Sequence, residues 1–251
     1  MDRRPLIAGN WKMHTTAHEA QDLASAVVLA ANKVTGRDVM IAPPYTALTA
    51  VSTILSGTDV TLGAQNVHWE EQGAFTGEIS ASMLKDLGCS MAIVGHSERR
   101  HVFGETDFMI SRRITGALRF GLVPVFCIGE NLKQRELGNT LKVLEDQVRA
   151  GLAGIELADG GQIVVAYEPV WAIGTGKTAT ETQAQEVHSF IRSLLADIYE
   201  KNIADQVRIL YGGSVKPENI DILMQQNDID GALVGGAALK AEMFERIICF
   251  Q

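Results

Sequence analysis

Residues Ile163 to Ala179 read I-V-V-A-Y-E-P-V-W-A-I-G-T-G-K-T-A. The first five form an apolar run of the kind a buried strand needs. Glu168 stands where that strand ends, and Pro169 fixes φ behind it and stops the ladder. Val170 to Ile173 is apolar and carries Trp171; Gly174 and Gly176 follow, and their amides can approach a ligand closely. A helix is predicted to start near Thr180. A polar loop is the ordinary link between strand and helix. This one is stiff at one end and apolar in its middle, which reads as a lid whose hydrophobes bury when it closes. Taken alone, it could also be a plain βα loop packed on the sheet.

The same unit recurs outward in both directions. Short apolar runs occupy Leu6–Ala8, Val39–Ala42, Val60–Ala64, Met91–Val94, Leu122–Ile128, Ile163–Tyr167, Arg208–Tyr211 and Gly231–Val234. Helical patterns fill most gaps: Leu23, Val27, Ala30, Ala31 and Val34 share a face, as do Ile110, Ile114, Ala117 and Leu118, and Val187, Ile191, Leu194, Leu195 and Ile198. Strand and helix alternating eight times implies a parallel sheet with right-handed crossovers. Eight units in 251 residues is the size of a (β/α)8 barrel, an α/β fold read here as one domain over residues 1–251. A doubly wound open sheet is the second choice.

Composition narrows the function. Apolar residues make up 46% of the chain, and no apolar run reaches 18 residues, so a globular protein without a membrane span is expected. The apolar stretch behind Arg3 and Arg4 is too short for a signal peptide. Cys89, Cys127 and Cys249 are scattered and odd in number, which fits a reducing, cytoplasmic compartment. A net charge of −8 argues against a nucleic-acid surface, and an anionic substrate would need locally arranged donors.

The polar and glycine residues sharpen this. Asn10 and Lys12 follow the first strand, Ala64-Gln65-Asn66 the third, Gly95-His96-Ser97-Glu98 the fourth, and Gly129-Glu130 the fifth. Glu168 follows the sixth, Gly212-Gly213-Ser214 the seventh, and Gly235-Gly236 the eighth. All lie at carboxyl ends of strands, the face on which barrel active sites are built. Glu168 is the candidate base: a desolvated carboxylate held against a substrate can take a proton from carbon. Asn10 and Lys12, two apart, would face the ligand together if the strand continues; the other reading is a solvated lysine beside a packed Trp11. His96 precedes a short predicted helix with Ser97 as N-cap. That helix end and Lys12 disfavour an imidazolium, so a neutral, hydrogen-bond-donating His96 is expected. Ser214, Gly235 and Gly236, with Gly174 from the closed lid, are the candidate phosphate donors; tight turns that need glycine are the alternative. Gly174 to Ala179 formally fits a dinucleotide fingerprint but does not start directly after its strand, and the P-loop lacks its first glycine. No Cys/His cluster has metal spacing, so no metal is expected.

These segments, together with Gly9-Asn-Trp-Lys-Met13, Gly63-Ala-Gln-Asn66, Thr76-Gly-Glu78, Val94-Gly-His-Ser-Glu-Arg-Arg100, Ala166 to Ala179, Tyr211-Gly-Gly-Ser-Val215 and Leu233-Val-Gly-Gly-Ala237, resemble the triosephosphate isomerase family from end to end. The resemblance implies cofactor-free interconversion of dihydroxyacetone phosphate and glyceraldehyde 3-phosphate, a step of glycolysis and gluconeogenesis. It gives Glu168 the proton transfer, a neutral His96 the enediolate oxygens, and Lys12 and Asn10 the developing charge. It implies that Glu98 braces Lys12, that Ile173 and Leu233 clamp over Glu168, and that Trp171 and Tyr211 hold the lid. It also implies a homodimer through the Gln65–Glu78 loop, with Thr76 reaching the neighbour's Asn10 and Lys12. The competing functions are another phosphosugar barrel, such as a lyase or epimerase, and a catalytically silent barrel that binds phosphates.

Overall fold

The computed structural model describes residues 3–172 and 179–251. Among them, strands β1 (Leu6–Asn10), β2 (Asp38–Ala42), β3 (Val60–Ala64), β4 (Met91–Val94), β5 (Val123–Ile128), β6 (Val164–Tyr167), β7 (Arg208–Tyr211) and β8 (Gly231–Val234) close into a parallel barrel in sequence order. The open sheet is thereby ruled out: β8 returns to β1, with Leu6 opposite Gly231 and Ala8 opposite Leu233.

Both faces of the strands are buried, and their residues divide by parity. Leu6, Ala8, Met40, Ala42, Ile93, Val125, Val164, Ala166 and Leu210 fill the barrel interior. Ile7, Val39, Ile41, Phe126, Val165 and Ile209 face outward into the layer under the helices. A strand buried on both sides needs apolar residues at every position, so it shows as a continuous run.

The helices are α1 (Ala17–Ala31), α2 (Leu48–Leu55), α3 (Ala81–Asp86), α4 (Ser97–His101), α5 (Asp107–Arg119), α6 (Leu132–Glu136), α7 (Thr140–Gly151), α8 (Glu181–Ile198), α9 (Lys201–Ala204), α10 (Ile220–Met224) and α11 (Ala241–Ile248). Thr180 caps α8 in a capping box with Gln183, satisfying amides that the helix itself leaves free. The inward face of α8 is not wholly apolar. Gln185 Nε2 and Arg192 Nε donate to the Asp228 carboxylate at 2.7 Å each, and His188 Nδ1 lies 3.2 Å from the Asp228 carbonyl. These side chains fasten the helix to the turn that opens β8. Val34 lies beyond the end of α1, so that face is closed by Ala20, Ala24, Val27 and Ala30.

Candidate active site

The carboxyl ends of the strands surround a cavity of about 300 Å³. Asn10, Lys12, His96, Glu168, Ser214, Leu233, Gly235 and Gly236 are among the residues that line it. Eight of the expected site residues therefore meet in one cavity, although they come from five different strand ends. Glu98 stands behind Lys12. Ile173 and Gly174 fall outside the described residues.

Glu168 is placed by backbone on both sides. Its amide donates to the Ile128 carbonyl at 2.7 Å, and the Gly212 amide donates to the Tyr167 carbonyl at 2.7 Å. The neighbouring strand end comes so close that a Cβ at Gly129 would sit 1.7 Å from the Glu168 carbonyl oxygen. Only glycine fits there. The Gln147 side chain clasps Gly129 from behind, accepting from its amide at 2.8 Å and donating to its carbonyl at 3.1 Å. The Glu168 side chain is buried, with Oε1 2.9 Å from His96 Nε2 and Oε2 accepting from the Ser97 amide at 2.9 Å. Burial raises its pKa, but His96, the Ser97 amide and Lys12 pull it down further, so the carboxyl lies below its usual range and stays ionised.

His96 follows Gly95, whose φ of 72° turns the chain out of β4. The N-cap of α4 is His96 itself and not the expected Ser97: its Nδ1 accepts from the Glu98 amide at 3.2 Å. A ring nitrogen that accepts an N–H carries no proton of its own. The proton of the neutral ring therefore sits on Nε2, where it is donated to Glu168. Burial pushes the imidazole pKa down, while the Glu168 carboxylate pushes it up and prevails in this arrangement. Most of that upward pull belongs to Glu168, and the Glu98 carboxylate adds a smaller one. When the carboxylate turns to a substrate, burial, Lys12 and the Glu98 amide favour the neutral ring, opposed only by the weaker upward pull of the Glu98 carboxylate.

Asn10 is the last residue of β1, and the chain does not continue as a strand to Lys12. Trp11 is fully buried, and Lys12 adopts a left-handed φ of 52°. Its amide donates to Asn10 Oδ1 at 3.0 Å, and its carbonyl accepts from Gln65 Nε2 at 2.7 Å. Lys12 thus reaches the cavity through a turn and not through strand alternation. Lys12 Nζ bonds Glu98 Oε1 at 2.7 Å, which holds the ammonium beside His96. Asn10 spends its carbonyl oxygen on this turn and keeps its NH₂ for the cavity.

At the start of the candidate lid, Val170–Ala172 forms one 3₁₀ turn. Trp171 Nε1 donates to Glu130 Oε1 at 2.9 Å, and the same oxygen accepts from Tyr167 Oη at 3.2 Å and from Arg135 at 3.3 Å. Glu130 is completely buried, so these donors are what make its charge tolerable. Sequence reading placed Glu130 at a strand end but gave it no partner.

Other residues were missed. Lys216 and Met243 also line the cavity, beside Gly212 and Gly213, which the sequence places at the end of the seventh strand; the lysine directly after Ser214-Val215 was the available signal, and Met243 gave none. Two histidines read as ordinary loop or helix residues, His68 and His188, are buried. In the Gln65–Glu78 loop, Val67 belongs to the core, Trp69 is half-buried under Arg112 and Arg113, and Phe75 is exposed with its ring against His68. Thr76 at its tip is exposed. Among the described residues, no group of three or more His, Cys, Asp or Glu side chains is arranged to hold a metal ion.

Comparison with known proteins agrees with this geometry. A family model described as triosephosphate isomerase matches residues 5–251. The chain is 57% identical over 249 residues to the triosephosphate isomerase of Syntrophotalea carbinolica and 56% identical over 249 residues to that of Trichlorobacter lovleyi, covering 99% of each chain in both pairs. Its fold matches the crystal structure of triosephosphate isomerase from Bartonella henselae with a TM-score of 0.89 at 40% identity, over 98% of both chains. Matched from end to end by sequence and by fold, the chain belongs to the triosephosphate isomerase family.

Proposed function

We propose that this chain, acting as one barrel domain, interconverts dihydroxyacetone phosphate and D-glyceraldehyde 3-phosphate through an enediolate. The observation that carries the reading is the buried pair Glu168–His96 at 2.9 Å in the same cavity as the glycines that follow β7 and β8. The substrate's reacting end enters between the two partners. Glu168 releases the Ser97 amide and takes a proton from the carbon beside the carbonyl. The C–H electrons move into the carbonyl, and the oxygen that gains charge receives a hydrogen bond from His96 Nε2–H. Lys12 and the Asn10 amide stabilise the same charge in a site closed to bulk water. The hydroxyl proton on the neighbouring oxygen passes to the charged one by way of His96 Nε2, Glu168 returns its proton to the adjacent carbon, and the ketose becomes the aldose with no net change in protons. Glu98 holds Lys12 in place, and Leu233, which lines the cavity with Glu168, is assigned with Ile173 to clamp over the base on closure.

The phosphate lies at the far end, against Ser214, Gly235 and Gly236, with Gly174 added by the lid. Backbone amides suit a dianion here because they cost the protein no buried charge. The chain works as a homodimer through the Gln65–Glu78 loop. Exposed Phe75 and Thr76, and Met13 at 93% exposure, are the support for that contact. A cytoplasmic place in glycolysis follows from the substrate. No described helix is long and apolar enough to cross a membrane.

A coupled assay run from each triose phosphate tests the reading. Turnover in both directions without added metal or cofactor is expected; no turnover in either direction would refute it. One sedimentation run tests the dimer.

A further inference from the structure

Lys216 lines the cavity beside Val215, and its side chain is exposed at the mouth. Its backbone is fixed, the amide donating to Asn219 Oδ1 at 2.8 Å. Its ammonium forms no ion pair among the described residues. Glu218, two residues on, is exposed and does not line the cavity.

The charge around the cavity makes this lysine matter. Lys12, the other lining cation, is bound to Glu98 and also faces the ionised Glu168. Without Lys216, the titratable groups in and against the cavity besides the His96 imidazole are one cation and two carboxylates. The chain as a whole carries −8. Among the described residues, Lys216 is therefore the one lining lysine whose charge a phosphate dianion approaching from water would meet unpaired.

We propose that Lys216 is the residue that draws the phosphate dianion into this cavity and selects for a doubly charged substrate. This rests on the triose-phosphate reading above. A charge at the mouth acts on encounter, so it enters kcat/KM before any chemistry. It is also exposed, so salt screens it.

The test is kcat/KM measured across ionic strength for the wild type, Lys216→Gln, Lys216→Glu and Lys216→Arg, with inorganic phosphate as a competitive inhibitor. For a dianion passing roughly 8 Å from the ammonium in water, Lys216→Gln should lose about fivefold in kcat/KM at about 10 mM salt and less than about twofold at 0.3 M. Lys216→Glu should lose about twice as much on a logarithmic scale, Lys216→Arg should restore the wild-type slope, and phosphate inhibition should weaken in parallel. Equal kcat/KM for wild type and Lys216→Gln at low salt, or a loss that salt does not reduce, would overturn the inference while leaving the isomerase reading intact. An inactive wild type would instead remove the reading on which it stands.

Discussion

The Glu168 carbonyl oxygen occupies the space that a side chain at Gly129 would need, at 1.7 Å from the ideal Cβ position. One strand end therefore sets the position of the next, and the candidate base inherits it. Gly129→Ala forces backbone against backbone, which no rotamer can relieve. We expect a stability loss of about 1–3 kcal/mol, and a fall in kcat on the order of a hundredfold from a displacement near 1 Å. Urea unfolding and steady-state kinetics on the same preparation check both.

The protonation of His96 depends on its partner. Removing the Glu168 charge takes away most of the upward pull and leaves burial, Lys12 and the Glu98 amide against the weaker pull of the Glu98 carboxylate. The His96 pKa should therefore be lower in Glu168→Gln than in the wild type, which ¹⁵N NMR of the ring across pH measures. A higher value in the variant would show that Glu168 is not what holds the proton there.

Buried Glu130 collects donors from Trp171, Tyr167 and Arg135 on one oxygen. Trp171→Phe removes one donor from a carboxylate that water cannot reach, and should cost about 1–3 kcal/mol. Because Tyr167 shares the acceptor, the Trp171→Phe and Tyr167→Phe losses should not add. A double-mutant cycle by chemical denaturation would show a coupling of at least about 0.5 kcal/mol.

His188 supplies a pH dependence with a definite sign. Complete burial pushes its pKa from the usual 6.5 down to about 4. Above pH 6.5 the ring is neutral whether folded or not, and it contributes nothing to the pH profile. Between pH 6.5 and 4 the unfolded chain binds a proton that the folded one refuses, so stability falls as pH falls. The loss reaches on the order of 3 kcal/mol by pH 4 and then levels off. His188→Gln should flatten this part of the stability profile relative to the wild type, even if it lowers stability at neutral pH.

The barrel was legible because its strands are buried on both faces and so appear as unbroken apolar runs. Their predicted limits differ from the observed ones by two residues at most: β1 continues through Asn10, which still pairs with Ala42, while β5 and β6 each start one residue later. The candidate base was legible for a related reason, since a carboxylate directly after a buried strand has few places to go. Lys12 was placed correctly for the wrong reason. Strand alternation pointed to the cavity, but the chain arrives by a left-handed turn that the side chain of Asn10 stabilises. The His96 cap was hidden because serine is the commoner capping residue and stood next to it. Glu130 with Trp171, and His188 with Asp228, are about 40 residues apart in sequence, and nothing local announces either pair.

Hydrogen exchange at carbon tests the central claim most directly. In D₂O, the wild type should introduce deuterium at the carbon beside the carbonyl of dihydroxyacetone phosphate, followed by ¹H NMR. Glu168→Gln, folded and still binding inorganic phosphate, should do so at least about a thousandfold more slowly. Exchange by Glu168→Gln at a rate near that of the wild type would mean that another group takes the proton.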